Sequence, residues 1–358
     1  MIISRTPFRI SFFGGGTDYP VWYKKNGGSV LSTAINKYCY INCRVLPPFF
    51  EHNIRVVYSQ IENRNSYEEV RHPSVRETMR FLGIDTGLEI HHDGDLPARS
   101  GLGSSSAFTV GLLNALYALR GYTADKRRLA EESIFIEQEL IRETVGSQDQ
   151  IAASYGGLNH ICFGKDGGFH VHPVAVSRER QKELTSHLML FYTGVKRVAS
   201  DVAKSYTTMT QDRRKQLKKI GGFVNDGLSI LTGSQDIMEF GRLLHESWLQ
   251  KRSLSDKVSN SYVNSIYEAA MNNGAIGGKL LGAGGGGFLL LFVPPEYRKR
   301  VRLALNNLIH VPFDIDHAGS QIIFSEPQTE DYTLSQNDRK ERMISRFMEL
   351  CKIEAIGG

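Results

Sequence analysis

At 358 residues, with 41% hydrophobic and 23% charged side chains, the chain is long enough for two domains, or for one large domain with a second lobe. Its core needs neither disulfides nor a structural metal. Lysine and arginine number 43 against 38 aspartate and glutamate, a net charge of +5 without the clustered arginine–aromatic pattern of a nucleic-acid binder. A mild positive excess also suits a protein that handles anionic small molecules. The longest apolar run, GFLLLFV at 287–293, is too short to span a bilayer, and the N-terminus lacks the basic-then-apolar pattern of a signal peptide. Cys39, Cys43, Cys162 and Cys351 show no C-x-x-C spacing, a usage that fits a reducing cytoplasm.

In chain order, IISRTPFRISFF reads as a strand, with Pro7 at an edge or a bend. GGGTDYPVWYKKNGGS reads as a glycine-rich loop, and VLSTAINKYCYINCRVL as a second strand by its β-branched and alternating residues. Residues 50–75 are polar and irregular; 75–83 read as a short helix stopped by Gly83. LEIHHDGDLP is a short strand running into a loop. His91 and His92 are adjacent on it and point to opposite faces, which argues against a shared metal. A helix from about Ser105 to Leu119 stops at Gly121. The next helix is N-capped by Thr123, carries EESIFIEQELI and ends before Gly146, and QDQIAASYGG makes another short one. Strands return from about 155 to 193. Apolar residues then recur at three- and four-residue spacing through 196–272, a helical region, with Trp248, like Trp22, in a packing role. KLLGAGGGGFLLLFV is a glycine loop feeding a strand, and a charged helix lies near 335–352. The order predicts an α+β protein of two lobes, 1–185 and 186–330, with a helical tail over 331–358.

Three glycine-rich clusters carry the chemistry. In LPARSGLGSSSAFTV, a helix start that needs one serine has three, preceded by Gly101 and Gly103. Free backbone N–H groups and the positive end of the helix dipole make this an anion site suited to phosphate. It is neither a Walker A loop, since no GK[ST] follows, nor a dinucleotide fingerprint. In FRISFFGGGTDYP, a tight turn holds Thr17 and Asp18, which suit the hydroxyls of a polyol. In KLLGAGGGGF, four glycines before a buried strand weaken it, so they serve a close approach of the backbone to another backbone or to a phosphate loop.

Together, in this order, the three clusters resemble the GHMP kinase family. PARSGLGSSSAF is similar to that family's P-x-x-x-G-L-G-S-S-A phosphate motif, KLLGAGGGGF to its third, glycine-rich motif, and TPFRISFFGGGTDYP to the first motif of its galactokinases. The resemblance runs from about residue 5 to 293. Within the family, GGGTDYP, SGLGSSS, GSQDQIAASYGG and KLLGAGGGG together most resemble the heptose 7-phosphate kinases, with fucose kinases sharing much of the pattern. Galactokinases have Gly-Glu-His where this chain has Gly14-Gly15-Gly16, which leaves room for a larger sugar.

The resemblance implies a ribosomal-S5-domain-2-like first lobe and a ferredoxin-like second lobe. It implies ATP- and Mg²⁺-dependent phosphorylation of the anomeric hydroxyl of a sugar phosphate, feeding nucleotide-activated heptose for surface polysaccharide. The nucleotide cradle would comprise Pro97, Arg99, Ser100, Gly101, Leu102, Gly103, Ser104, Ser105 and Ser106, with Ser105 on the metal. Glu137 would be the second metal contact rather than Glu139, which lies on another helix face. Asp149 would orient and deprotonate the attacking hydroxyl beside Arg9. Gly15, Gly16, Thr17, Asp18, Gly284 and Gly285 would line the substrate, and Arg197 is a candidate for its distal phosphate, since a guanidinium fork suits that group. Partners are then the sugar phosphate and ATP, with no nucleic acid and no membrane, and a homodimer as one candidate assembly. A free-sugar kinase of the same family and a non-catalytic sugar sensor are the competing readings.

Overall fold

The computed structural model describes residues 1–47, 49–85, 87–195 and 211–326, and they form two β-sheets with helices packed on them. The first sheet is built on two long strands, β1 (Ile2–Phe13) and β2 (Gly28–Val45), paired antiparallel. The pairing shifts between Pro7 and Phe8, where proline has no N–H to give the ladder. Beyond β2 come β5 (Leu88–Gly94), β3 (Ile54–Val57) and β4 (Ile61–Arg64). The other half of β2 pairs with β6 (Leu158–Phe163), which pairs with β7 (Phe169–Pro173). Two short strands thus stand in the region read as irregular, 50–75. IRVV is too brief to signal itself, and IENR is both brief and polar.

The second sheet is antiparallel, with the order β11 (Ile309–Val311), β8 (Leu188–Tyr192), β10 (Phe288–Phe292), β9 (Gly277–Leu280). Numbered within the lobe this is 4-1-3-2, the ferredoxin-like split βαβ order. Its first strand begins at Leu188, directly after a helix that ends at His187. At the far end, Ile315 bridges to Ile35, and β12 (Gln321–Ser325) pairs with β1 at the edge of the first sheet. The second lobe's own sheet therefore ends at Val311. The expected tail helix near 335–352 lies outside the described residues.

Among the described residues the helices are α1 (Pro20–Asn26), α2 (Pro73–Leu82), α3 (Ser104–Leu119), α4 (Lys126–Phe135), α5 (Gln148–Tyr155), α6 (Arg178–His187), α7 (Gln211–Thr232), α8 (Met238–Arg252), α9 (Ser261–Asn272) and α10 (Arg298–Ala304). Helix α1 stands in what reads as a loop; seven residues are too few for a helical period to show. The cap of α4 is Asp125, not Thr123: its carboxylate accepts from the Arg128 N–H at 2.7 Å. A π-helical turn, Ile136–Leu140, continues α4.

Helix α3 fixes the site. Every residue from Ser106 to Tyr117 is buried, so the helix threads the first lobe's core. Gly111 lets it lie on β1, since a Cβ there would stand 2.8 Å from Thr6 Oγ1, and Ser4 donates to the Gly111 carbonyl at 2.8 Å. The lobes meet through aromatic edges: Phe12 and Phe13 stand edge-on to Phe240 of α8, with ring centres 5.4 and 5.0 Å away. The end of β1, the start of α3 and the glycine loop 281–287 of the second lobe thereby converge on one cleft.

Candidate active site

The cleft holds about 240 Å³ and is lined from both lobes. Its wall is the start of α3. Gly101 and Gly103 take left-handed backbone, φ +84° and +75°, and Gly103 is the N-cap residue, with no side chain capping the helix. The first N–H groups of a helix have no acceptor within it, so this end presents donors and a positive dipole to the cleft. Ser104 is partly spent, since its hydroxyl accepts from the Arg99 N–H at 3.1 Å. Of the expected cradle, Arg99, Gly101, Gly103, Ser104, Ser105 and Ser106 line the cleft. Pro97, Ser100 and Leu102 do not. Leu102 is buried in the core, its carbonyl accepting from the Arg9 N–H at 3.0 Å, and the Ser100 carbonyl accepts from Phe288 N–H at 3.1 Å. These three support the loop from behind.

Against this wall lies a bidentate ion pair. Arg9 Nε donates to Asp149 Oδ1 and Arg9 Nη2 to Oδ2, both at 2.7 Å, while Nη1 donates to the Gly101 carbonyl at 2.8 Å. Arg9 is buried and Asp149 remains one-quarter exposed, so the carboxylate faces the cleft from a fixed guanidinium. Asp149 sits in the first turn of α5. A Cβ on Gly103 would stand 3.3 Å from both Arg9 Cγ and Asp149 Oδ2, so the loop presses directly on the pair.

Asp18 closes the other side. It is buried, accepting from the Gly16 N–H at 2.8 Å and from Gln148 Nε2 at 2.9 Å. Burial first, then the charge of Asp149, push its carboxyl above the usual range. Gly15 and Gly16 line the cleft with it. Thr17 does not: its hydroxyl lies 2.8 Å from the Gly14 and Ser29 carbonyls and accepts from the Ser29 N–H, so it ties the turn to β2 instead of facing a ligand.

Glu137 is fully buried, whereas Glu139 is exposed. Glu137 Oε2 accepts from Ser106 Oγ at 2.9 Å and from Gln150 Nε2 at 2.5 Å, while Oε1 has no partner among the described residues. Burial pushes this carboxyl up to about 7. The serine brought to Glu137 is Ser106, not Ser105, which is exposed at the cleft. Among the described residues no three His, Cys, Asp or Glu side chains are grouped to hold a metal. The donor set here is one carboxylate oxygen and serine hydroxyls, and the orphaned buried Oε1 beside them fits a hard cation.

The second lobe contributes what the sequence did not signal, Lys251 of α8 and Lys279 of β9, both on the cleft. It also corrects an expectation. Gly284 and Gly285 do not line the cleft; the Gly285 N–H donates to the Val258 carbonyl at 2.9 Å, and a Cβ on Gly284 would stand 2.6 Å from the same oxygen. Gly282 and Ala283 take the cleft position, with Gly282 backed onto Gly101. Arg197 lies outside the described residues.

Two family models match this chain where these elements lie: GHMP kinases N terminal domain over residues 71–157, and GHMP kinases C terminal over 229–310. The chain belongs to the GHMP kinase family. The N-terminal match contains the α3 loop, Glu137 and Asp149, and the C-terminal match contains both cleft lysines and the second glycine loop. This GHMP kinase is 29% identical to the D-glycero-alpha-D-manno-heptose 7-phosphate kinase of Campylobacter jejuni, over 85% of its own length and 93% of that protein's. It is 27% identical to the bifunctional fucokinase/GDP-fucose pyrophosphorylase of Arabidopsis thaliana over 86% of its length, spanning 31% of that longer protein. Among solved structures it superposes on one from Bacteroides thetaiotaomicron described as a D-glycero-D-manno-heptose 1-phosphate kinase, with TM-score 0.75, 24% identity and coverage of 91% and 100% of the two chains. That likeness shows the two-lobed α+β fold. No described helix is long and apolar enough to cross a membrane.

Proposed function

We propose that this GHMP kinase is a sugar 1-kinase, transferring the γ-phosphoryl group of ATP to the anomeric hydroxyl of a sugar phosphate, D-glycero-D-manno-heptose 7-phosphate, to give the 1,7-bisphosphate. The observation that carries the reading is the bidentate Arg9–Asp149 pair set against the uncapped N-terminus of α3. One element accepts a hydroxyl proton; the other receives phosphate oxygens. Phosphoryl transfer needs this juxtaposition more than covalent chemistry. The 29% identity to the C. jejuni heptose 7-phosphate kinase over most of both chains supports the substrate.

The backbone N–H groups at Gly103–Ser106 hold the nucleotide's phosphates, and the serine hydroxyls add donors. Asp149 accepts a hydrogen bond from the attacking hydroxyl and takes its proton as the new O–P bond forms. Arg9 holds that carboxylate in one orientation and brings positive charge to the phosphoryl group in flight. Asp18, held by Gly16 and Gln148, fixes the sugar's hydroxyls in the cleft. Ser106 and Glu137 are the residues that would hold Mg²⁺, with Ser105 at the rim. When bound, that ion neutralises charge on the β- and γ-phosphates. The second reading is a free-sugar kinase acting on fucose, favoured by the fucokinase relative.

The test is coupled ADP release with Mg-ATP across heptose 7-phosphate, mannose 6-phosphate, sedoheptulose 7-phosphate, galactose and fucose. Turnover confined to the heptose phosphate supports the reading. Turnover on fucose replaces the substrate and keeps the mechanism. Ligand binding without turnover on any acceptor moves the sensor reading to the front.

A further inference from the structure

Lys251 and Lys279 share the cleft with Arg9, Asp149 and Asp18, and no carboxylate among the described residues lies within ion-pair distance of either. Lys279 is 5% exposed, and its Nζ donates to the Phe12 carbonyl at 2.7 Å. Lys251 Nζ donates to the Leu280 carbonyl at 3.1 Å and to that of Gly282. An ammonium has three N–H groups, so the pair keeps three donors without an acceptor among the described residues. A buried cation costs free energy unless it is paired. The cost is felt here: burial, and then the charges of the neighbouring cations, push Lys251 down to about 7 and Lys279 well below its ordinary value.

Among the described residues the one ion pair on the cleft is Arg9 with Asp149. Of the cleft's other carboxylates, Asp18 opposes both lysines only by its charge, its oxygens being spent on Gly16 and Gln148, and Glu143 feels the charge of Arg99. Arg9, Arg99, Lys251 and Lys279 thus stand against Asp18, Glu143 and Asp149 on the cleft wall, and all that the second lobe adds to this balance is the two cations. A neutral sugar brings hydroxyl oxygens but no charge to offset them. A phosphomonoester brings two charges and three acceptor oxygens, which matches two ammonium groups and three unused N–H donors.

We propose that Lys251 and Lys279 form a second anion subsite that grips the non-transferred phosphate of the acceptor sugar. The lysines thereby make that phosphate a condition of tight binding. This rests on the kinase reading above and adds the specificity-determining residues to it.

The test measures binding without nucleotide. Wild-type protein is titrated calorimetrically with D-glycero-D-manno-heptose 7-phosphate and with the same heptose lacking the phosphate, then with mannose 6-phosphate and mannose. The phosphorylated member of the preferred pair binds at least about 100-fold more tightly, as two charge-assisted contacts require. Lys251→Met and Lys279→Met each lower that ratio about tenfold or more, while affinity for a non-hydrolysable ATP analogue is unchanged. Equal binding, or none, for both members of each pair in the wild type overturns the subsite whether or not the variants fold. So does an unchanged ratio in folded variants, and so does a loss confined to the ATP analogue. Turnover on the unphosphorylated sugar with equal binding removes the subsite and keeps the kinase. Tight sugar-phosphate binding with no ADP released keeps the subsite and removes the kinase.

Discussion

The two glycine-rich loops that meet in the cleft use the same residue for opposite purposes. In 101–106, Gly103 thins the chain so that the start of α3 can face the cleft and rest on the Arg9–Asp149 pair. In 281–287, most of the glycines serve other backbone: Gly284 lies on Val258, Gly286 on Val195 and Gly287 on Ser100. Only Gly282, with Ala283, reaches the cleft, and it does so pressed against Gly101. A run of glycine therefore marks close approach, but not what approaches. At Gly103 the neighbours are the two side chains of the ion pair; in the second loop they are backbone, of its own lobe at Gly284 and Gly286 and of the first lobe at Gly282 and Gly287.

Substitutions can break this contrast. The largest effect belongs to the pair under the first loop. Asp149→Asn lowers kcat by about 10²–10⁴-fold, the range for losing a positioned proton acceptor, with the melting temperature little changed. Steady-state kinetics beside thermal denaturation measures both. Next come the glycines. Gly103→Ala carries strain at φ +75° and sets a methyl against Arg9 and Asp149, so kcat falls more than stability does. Gly284→Ala, at φ +114° and 2.6 Å from the Val258 carbonyl, costs about 1–3 kcal/mol of stability, with kcat per folded molecule retained. Urea titration with activity assays separates them, and equal kinetic losses would erase the contrast.

A smaller effect distinguishes the serines. Ser106→Ala raises the Mg²⁺ concentration needed for half-maximal activity about tenfold, the scale of losing a group that holds a metal ligand, while Ser105→Ala changes it less than about twofold. The smallest effect is on pH dependence. Arg9, Lys279 and Asp18 face Lys251 in the cleft, and burial holds Lys251 at about 7 against an ordinary value of 10.5. Between pH 7 and 10 the unfolded chain thus binds more protons at this site than the folded one, so stability rises with pH across that window. The melting temperature of the ligand-free protein climbs by about a few degrees from pH 7 to 9, and Lys251→Met flattens the climb.

Much of the site was legible in the sequence because its motifs are local. GLGSSSAF announces a glycine-flanked helix start, which the structure sets on the cleft, and Glu137 separates from Glu139 because two residues on a helix turn to a different face. The choice among Ser104, Ser105 and Ser106 was not legible. Each step turns about 100°, and which hydroxyl meets Glu137 depends on how α3 sits against the π-turn, a tertiary fact. Lys251 sits in WLQKRS, outside all three glycine-rich clusters, and its carbonyl partners Leu280 and Gly282 are some thirty residues away in sequence. Lys279 opens KLLGAGGGG, where the glycines hold the eye, and its burial comes from the first lobe's Phe12. Thr17 was misread for the same reason: its partner Ser29 stands on the neighbouring strand.

In the proposed reaction Asp149, held by Arg9 beside the start of α3, directs transfer to the anomeric hydroxyl. The most direct measurement is ³¹P NMR of the product formed from heptose 7-phosphate and Mg-ATP by wild-type protein and by Asp149→Asn. A second sugar-phosphate resonance coupled to the anomeric proton is expected with the wild type, and none with the variant over the same interval. Phosphate on any other carbon, or the same resonance growing at an equal rate with Asp149→Asn, would contradict it.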